Sequence, residues 1–375
     1  MGGSIAQALD VYLLKLAQPR IKTHNQHQKF VRSMKKENMP TLSEMPRILL
    51  AHLPTPIDSL PNLSKYLGGP DLYIKRDDQT GLATGGNKAR KLEFLLAQAL
   101  EAGADTVITA GAVQSNHARQ TAAGAARCGL ACHLVLYAPD GPPQPPYAGN
   151  LLLSHLLGAE LHWVSDHLPD DKTFERVADA LRAEGRTPYI IPYGGSNAYG
   201  MLGYAAAMQE YAAQTASTGP FDCITFASSS GGTQAGMLLG AHLAGLDDTI
   251  LLGISVDRPA SELTALIAKL GNAGAELLGL DWRLMPEAVH VNDSYTGGGY
   301  AVVGDPEREA IRLLARHEGI VVDPVYTGRA LAGLLDLVRQ GYFSAGQRVL
   351  FWHTGGTAGL FAFPEAVFAP TPGSL

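Results

Sequence analysis

The chain has 375 residues, 46% of them hydrophobic and 17% charged, with a formal net charge of -6 and a pI near 6.0. That length favours two lobes over one core, and the apolar content is too high for a disordered chain. The acidic balance excludes a general affinity for nucleic acid or anionic membrane, and no apolar run approaches the ~18 residues of a membrane span.

The first segment, residues 1–45, differs from the rest. It is basic through Lys22, Lys29, Arg32, Lys35 and Lys36, and it lacks glycine-punctuated strands. Residues Ile5 to Leu16 can form a short amphipathic helix. No signal-peptide core is present, and Asp10 and the low Ser/Arg content count against a transit peptide. The segment is expected to be a flexible extension, with Met34 and Met39 as plausible internal starts.

From Leu72 onward strands and helices alternate. Strands are expected at Leu72–Lys75, Thr106–Ala110, Ala131–Tyr137, Glu160–Val164, Tyr189–Pro192, Cys223–Ala227, Thr249–Val256 and Arg348–His353. Helices are expected at Lys88–Ala102, Ser115–Cys128, Leu151–Leu157, Phe174–Ala183, Tyr199–Ala213, Thr233–Leu243, Ser261–Leu278, Pro306–His317 and Thr327–Gln340. Leu92, Leu95, Leu96 and Leu100 show the helical period, and Gly103 and Gly129 stop their helices. Continuous apolar strands between helices imply an α/β fold of mostly parallel sheets covered on both faces. Two three-layer α/β lobes follow: residues 46–90 plus 204–375 as the large lobe, and 91–203 as a smaller inserted one. Ligands in such folds sit at strand carboxyl ends, here in the cleft between the lobes.

Cys128, Cys132 and Cys223 are too few and too poorly spaced for a zinc site or a disulfide framework. They read as buried, reduced thiols of a cytoplasmic protein, and no metal site is expected.

Three glycine- or serine-rich junctions follow strands and open helices. In Thr84-Gly85-Gly86-Asn87-Lys88, glycines allow close backbone approach, and Lys88 stands at a helix start where the dipole disfavours a cation. Dipole and burial lower its pKa, as an amine nucleophile requires; a solvated helix-start lysine is the bland alternative. In Gln114-Ser115-Asn116-His117, Ser115 and Asn116 are either caps or donors to a cofactor hydroxyl or a carboxylate. His117 reads more readily as a satisfied helix-start histidine than as a catalyst. In Ser228-Ser229-Ser230-Gly231-Gly232-Thr233, free N–H groups, hydroxyls and a helix dipole converge as a phosphate cradle. The spacing matches neither the dinucleotide fingerprint nor the P-loop, since no lysine follows the last glycine; a nicotinamide dehydrogenase is thereby disfavoured. Tyr300, after Gly297-Gly298-Gly299, and Tyr326, in Asp323-Pro324-Val325-Tyr326-Thr327, are candidate proton donors or relays. His353-Thr354-Gly355-Gly356-Thr357 closes the series.

In this order, Gly-Gly-Asn-Lys with Arg90-Lys91-Leu92-Glu93, Gln-Ser-Asn-His, Ser-Gly-Gly-Thr, Asp-Pro-Val-Tyr and His-Thr-Gly-Gly resemble the D-cysteine desulfhydrase / 1-aminocyclopropane-1-carboxylate (ACC) deaminase family. These are fold-type II enzymes dependent on pyridoxal 5'-phosphate (PLP). The resemblance spans about Pro46 to Phe363. It implies that Lys88 holds PLP as a Schiff base and acts as α-proton base. Asn116 would bond the cofactor's phenolic oxygen. Ser230, Gly231, Gly232 and Thr233, helped by Lys91, would hold its phosphate, and Thr327 and Thr354 would lie near its ring. Ser115 would take the substrate carboxylate, with Tyr300 and Tyr326 flanking a small amino-acid substrate. The implied reaction is α,β-elimination to a 2-oxo acid and ammonia, in a homodimer.

Within the family, D-cysteine desulfhydration is the leading expectation. L-cysteate sulfo-lyase is the close alternative, because Leu50-Ala51-His52-Leu53-Pro54-Thr55-Pro56 and Thr80-Gly81-Leu82-Ala83-Thr84 look similar to that branch. ACC deaminase follows, disfavoured because that branch has an acidic residue after the second tyrosine and leucine in the His-x-Gly-Gly motif, where this chain has Thr327 and Thr354. Racemase activity and a silent PLP-binding protein are outsiders. A sulfonate needs donors or a cation; the nearest by sequence is Arg329, on a helix where a solvated position is equally compatible.

Overall fold

The computed structural model describes residues 39–369. The expected amphipathic helix at residues 5–16 and most of the basic segment lie outside them. The part of that segment that is described, residues 39–45, is packed against the body. Leu42 and Met45 are buried against Phe94, Met201 and Leu202.

The elements in chain order are β1 (Ile57–Ser59), α1 (Pro61–Leu67), β2 (Asp71–Arg76), α2 (Lys88–Glu101), β3 (Thr106–Ala112), α3 (Asn116–Cys128), β4 (Ala131–Tyr137), α4 (Gly149–Leu156), β5 (Glu160–Val164), α5 (Asp171–Ala183), β6 (Pro188–Ile190), α6 (Leu202–Thr215), β7 (Cys223–Ser228), α7 (Gly232–Leu243), β8 (Ile250–Ser255), α8 (Ala260–Leu277), β9 (Val291–Asn292), α9 (Asp305–Glu318), α10 (Thr327–Arg339), β10 (Arg348–His353), α11 (Thr357–Leu360) and α12 (Pro364–Phe368). Helix α6 begins at Leu202 rather than at Tyr199, because Asn197 holds the preceding turn by accepting from the Tyr199 and Gly200 N–H groups.

Two sheets result. The larger has the order β1-β2-β10-β7-β8-β9, and the smaller β5-β4-β3-β6. All pairs are parallel except β1 with β2, an antiparallel edge. Each sheet is buried on both faces. In the large one, Leu72, Ile74 and Phe351 pack with α9 and α10, while Ile224, Phe226, Leu350 and Trp352 pack with α6 and α7. In the small one, Val107, Leu134 and Leu136 pack with α2 and α3. Ile108, Ala110 and Val135 meet Phe174, Val177 and Leu181 of α5. This two-sided burial is why the strands read as unbroken apolar runs; each large side chain so buried contributes about 1.5–3 kcal/mol. The cysteines are free, with Cys132 and Cys223 buried and Cys128 partly so. Among the described residues no helix is long and apolar enough to cross a membrane.

Candidate active site

One cavity gathers the carboxyl ends of β3, β6, β7 and β10 and the start of α2. Its walls include Lys88, Ser115, Asn116, Tyr193, Ser230, Gly231, Thr233, Tyr326 and Thr354. Eight of the residues expected from sequence therefore face one space. Lys91, Gly232, Tyr300 and Thr327 stand outside this lining and touch it through neighbours.

Lys88 is presented by a loop with left-handed backbone at Ala83, Thr84, Gly85 and Gly86. A Cβ on Gly85 would lie 2.0 Å from the Asp78 carbonyl oxygen, so only glycine fits there. The loop is pinned from α3: Arg119, fully buried, donates to the carbonyls of Ala83 and Gly85 and to the Thr84 hydroxyl. Asn87 ties the same loop to two other junctions, its N–H donating to the Thr354 carbonyl (2.9 Å) and its Nδ2 to Thr233 Oγ1 (3.1 Å). Desolvation lowers the Lys88 ammonium to about 8, so a useful fraction is free amine near neutral pH.

Ser115 caps α3 by accepting from Ala118 N at 3.1 Å. Asn116 Oδ1 accepts from Arg119 Nη2 at 3.4 Å. This orients the Asn116 amide group within the cavity wall. Thr109 gives its hydroxyl proton to the Ile191 carbonyl, so its contact with His117 Nε2 (2.8 Å) has the imidazole as donor. Burial, then the charges of Lys88 and Lys91, hold His117 well below the ordinary histidine range. It is a neutral, Nε2-protonated ring that lines the cavity; its buried Nδ1 has no hydrogen-bond partner among the described residues, so the satisfied-histidine reading holds for only one of its nitrogens.

At the α7 start, Gly231 has φ 76° and Gly232 has no room for a side chain: a Cβ would meet Ser196 Oγ at 2.6 Å and Lys91 Nζ at 3.0 Å. Lys91 is fully buried. Its Nζ donates to the Gly194 carbonyl (3.2 Å) and Ser196 Oγ (3.1 Å), and Ser196 shares a 2.8 Å hydrogen bond with Ser230. Among the described residues no carboxylate pairs with Lys91, and burial, then Lys88, pushes its pKa well down. A buried lysine without a carboxylate partner, set beside a helix N-terminus, is a cradle that a phosphate's charge completes.

Tyr326 and Tyr300 share a hydroxyl–hydroxyl bond of 2.7 Å, rings edge-on at 73°. Burial raises both pKa values, so both are neutral phenols. The Tyr326 backbone is set by Asp323, which accepts from the N–H groups of Val325, Tyr326 and Thr327 and from Thr327 Oγ1. Thr327 Oγ1 also accepts from the Asp323 N–H (2.9 Å) and lies 3.2 Å from the Gly355 carbonyl oxygen, so its hydroxyl is engaged within the Asp323 turn. Arg329 is neither solvated nor free. It is buried, paired with Glu307 at 2.8 Å, and donates to the carbonyls of Val256, Gly299 and Val302. It clamps the turn that carries Tyr300.

Sequence reasoning overlooked Tyr193, Gly194 and Ser196, which close the cradle from beyond β6. The signal was there: Gly194-Gly195-Ser196-Asn197 is a fourth glycine-serine junction after a strand. It also overlooked Asp257, whose Oδ2 accepts from Ser229 Oγ at 3.2 Å.

A family model described as "Pyridoxal-phosphate dependent enzyme" matches residues 48–355. The chain is 44% identical over 325 residues to proteins named D-cysteine desulfhydrase from Salmonella choleraesuis (strain SC-B67) and Salmonella paratyphi C (strain RKS4594), covering 86% of this chain and 97% of each relative. Among solved structures, an ACC deaminase homologue superposes with a TM-score of 0.78 at 40% identity, over 88% of this chain and 97% of that one. A PLP-dependent aspartate racemase, at 19% identity and TM-score 0.57 over 80% of this chain and 90% of that one, shares the fold alone.

Proposed function

Because the chain belongs to the pyridoxal-phosphate dependent enzyme family, we propose that its cavity performs α,β-elimination on D-cysteine, taking up one water and releasing pyruvate, ammonia and hydrogen sulfide. The observation that carries this reading is a desolvated lysine facing the same cavity as the Ser230–Thr233 helix start, behind which buried Lys91 has no carboxylate partner among the described residues. Its substrate rests on the 44% identity to proteins named D-cysteine desulfhydrase.

The donor set fits PLP: an amine for its aldehyde, an amide for its phenolic oxygen, and a cationic helix terminus for its phosphate. When bound, the cofactor supplies an electron sink that makes an α-proton removable. Lys88 would hold it and is placed to take up that proton. Asn116 would face its phenolic oxygen. Lys91, Ser230, Gly231, Gly232 and Thr233 would hold its phosphate, joined by Ser196. Ser115 and the α3 N-terminus take the substrate carboxylate. The Tyr300–Tyr326 pair offers neutral phenols beside the β-substituent, where a thiolate leaves with little acid assistance. Thr354 closes the wall next to the ring, and Thr327 stands behind it beside the Gly355 carbonyl.

Arg329 favours a thiol over a sulfonate leaving group: the cation nearest Tyr326 in sequence is engaged by Glu307 and three carbonyls. Likewise, ACC ring opening would gain from a carboxylate where this chain has Thr327. We assign the large lobe to residues 46–90 and 204–375 and the small lobe to 91–203, supported by which strands join each sheet. The working form is a cytoplasmic homodimer acting on a free amino acid.

The test is a side-by-side 2-oxo-acid assay on D-cysteine, L-cysteine, L-cysteate and ACC, with sulfide and sulfite measured separately. D-cysteine is expected to have the highest kcat/KM, with sulfide stoichiometric with pyruvate. Sulfite from L-cysteate as the dominant product, or an equal kcat/KM for ACC, overturns the substrate assignment.

A further inference from the structure

On the outer edge of the small sheet, three potential ligands converge that the PLP site does not use. In the β4–β5 register His133 lies opposite Glu160, and His162 opposite Val135. Side chains alternate along a strand, so His133, Glu160 and His162 share one face. It is the face that packs against α5, since Val135 meets Phe174 and Val177 there. His133 Nδ1 and His162 Nε2 are 2.9 Å apart, their rings stacked with centroids 5.2 Å apart. A Glu160 carboxylate oxygen lies 3.8 Å from the first nitrogen and 3.7 Å from the second. None of the three lines the PLP cavity.

We propose that His133, Glu160 and His162 form a divalent-cation site for a borderline ion of the Zn²⁺ class. Two imidazoles and a carboxylate are a donor set that suits such ions and not Mg²⁺ or Ca²⁺, which take oxygen ligands. Tetrahedral bonding at about 2.0–2.1 Å sets neighbouring ligand atoms roughly 3.3 Å apart. The nitrogens need to separate by a few tenths of an ångström, and the carboxylate oxygen to draw in by a similar amount. Both strands hold the ligand backbones, so side-chain rotation suffices. The imidazole that donates in the ion-free pair moves its proton to its other ring nitrogen, so both rings stay neutral. Glu160 is largely exposed and His133 nearly buried, so the ion enters from solvent on the carboxylate side and keeps water in its fourth position. Arg176 is the cation that opposes the site, and Glu160 offsets it. The ion would staple the edge strand β5 to β4.

The experiment is titration of chelator-treated, PLP-loaded full-length protein with ZnCl2, by calorimetry and by thermal unfolding. The wild type is expected to bind one more equivalent per chain than H133Q or H162Q, and Zn²⁺ is expected to raise its Tm by more than theirs. E160Q is expected to weaken that equivalent by about tenfold or more. Binding by other histidines, His24 and His27 included, is common to all variants and cancels in the comparison. H162Q replaces a half-exposed side chain with one of similar size; its circular dichroism and PLP absorbance report that it is folded. The same stoichiometry and affinity in wild type and a folded H162Q would overturn the site. Failure here leaves the PLP assignment untouched, because the 2-oxo-acid assay tests that separately.

Discussion

The hydroxyls of Tyr300 and Tyr326 bond to each other at 2.7 Å, and each tyrosine is held by a different buried charge. Arg329 grips the turn around Tyr300, and Asp323 receives three successive N–H groups around Tyr326. The pair is thus assembled from two clamps that never touch the substrate space themselves.

Arg329→Met is expected to cost about 3–5 kcal/mol, because Glu307 is left buried without its cation. Arg329→Met/Glu307→Leu should recover much of that loss in urea unfolding. Turnover should stay low in both variants, since the Gly299 and Val302 carbonyls lose their donor either way. Recovery of turnover together with stability would show that the clamp does not position Tyr300.

Lys88→Ala should abolish covalent attachment of PLP. After borohydride reduction, the wild type should carry the cofactor mass on the peptide containing Lys88, and the variant should carry none. Turnover should fall by at least about 10³-fold, the scale of losing a positioned base.

Lys91 is a buried lysine that no carboxylate pairs among the described residues, so the cofactor-free protein bears the cost of desolvating it. Lys91→Met is expected to leave the Tm of the cofactor-free form unchanged or raised, while weakening PLP binding by about tenfold or more. Apoprotein fluorescence titrated with PLP measures the second effect. A drop in cofactor-free Tm with unchanged PLP affinity would make Lys91 a structural residue only.

A pH effect follows from Asp77. Burial alone would raise its pKa; the Arg90 guanidinium, Lys75 and the Tyr204 hydroxyl outweigh burial and hold it at about 2, against 3.8 ordinarily. The folded value lies below the unfolded one, so the associated stability, about 2 kcal/mol, is fully present above pH 4 and lost as pH falls toward 2. The Asp77→Asn variant should be less stable at pH 6 and should lose less on acidification from pH 5 to pH 3, as read from urea midpoints.

Much of the fold was legible because strands buried on both faces and glycine-stopped helices each leave a period or a break. Helix α1 escaped, being only Pro61–Leu67, too short to show a helical period. So did the antiparallel β1, three residues with mixed burial. Of the site, the junctions with unusual composition were readable. Gly194 and Ser196 lie in a junction of the same glycine-serine kind, but placing them at the cradle required knowing that β6 lies beside β3. Arg329 was unreadable for a different reason. Its helix α10 is buried nearly all round, so an arginine there looks the same in sequence as one on a wet face. His133 and His162 are 29 residues apart and become neighbours only through strand register.

The place of β10 has a consequence for biosynthesis. It is the last strand of the described chain, yet it lies between β2 and β7 in the middle of the large sheet. The strands of the small sheet come from one unbroken stretch and can pair while the ribosome is still at work. The large sheet stays in two halves until residue 353 has emerged, and Thr354 and Gly355, which complete the cavity wall, follow immediately. A nascent chain therefore carries Lys88 for most of its synthesis with its cradle unfinished. Cofactor loading is expected after the chain is complete, and a chain truncated just before β10 is expected to form the small sheet beside a large sheet left in two halves.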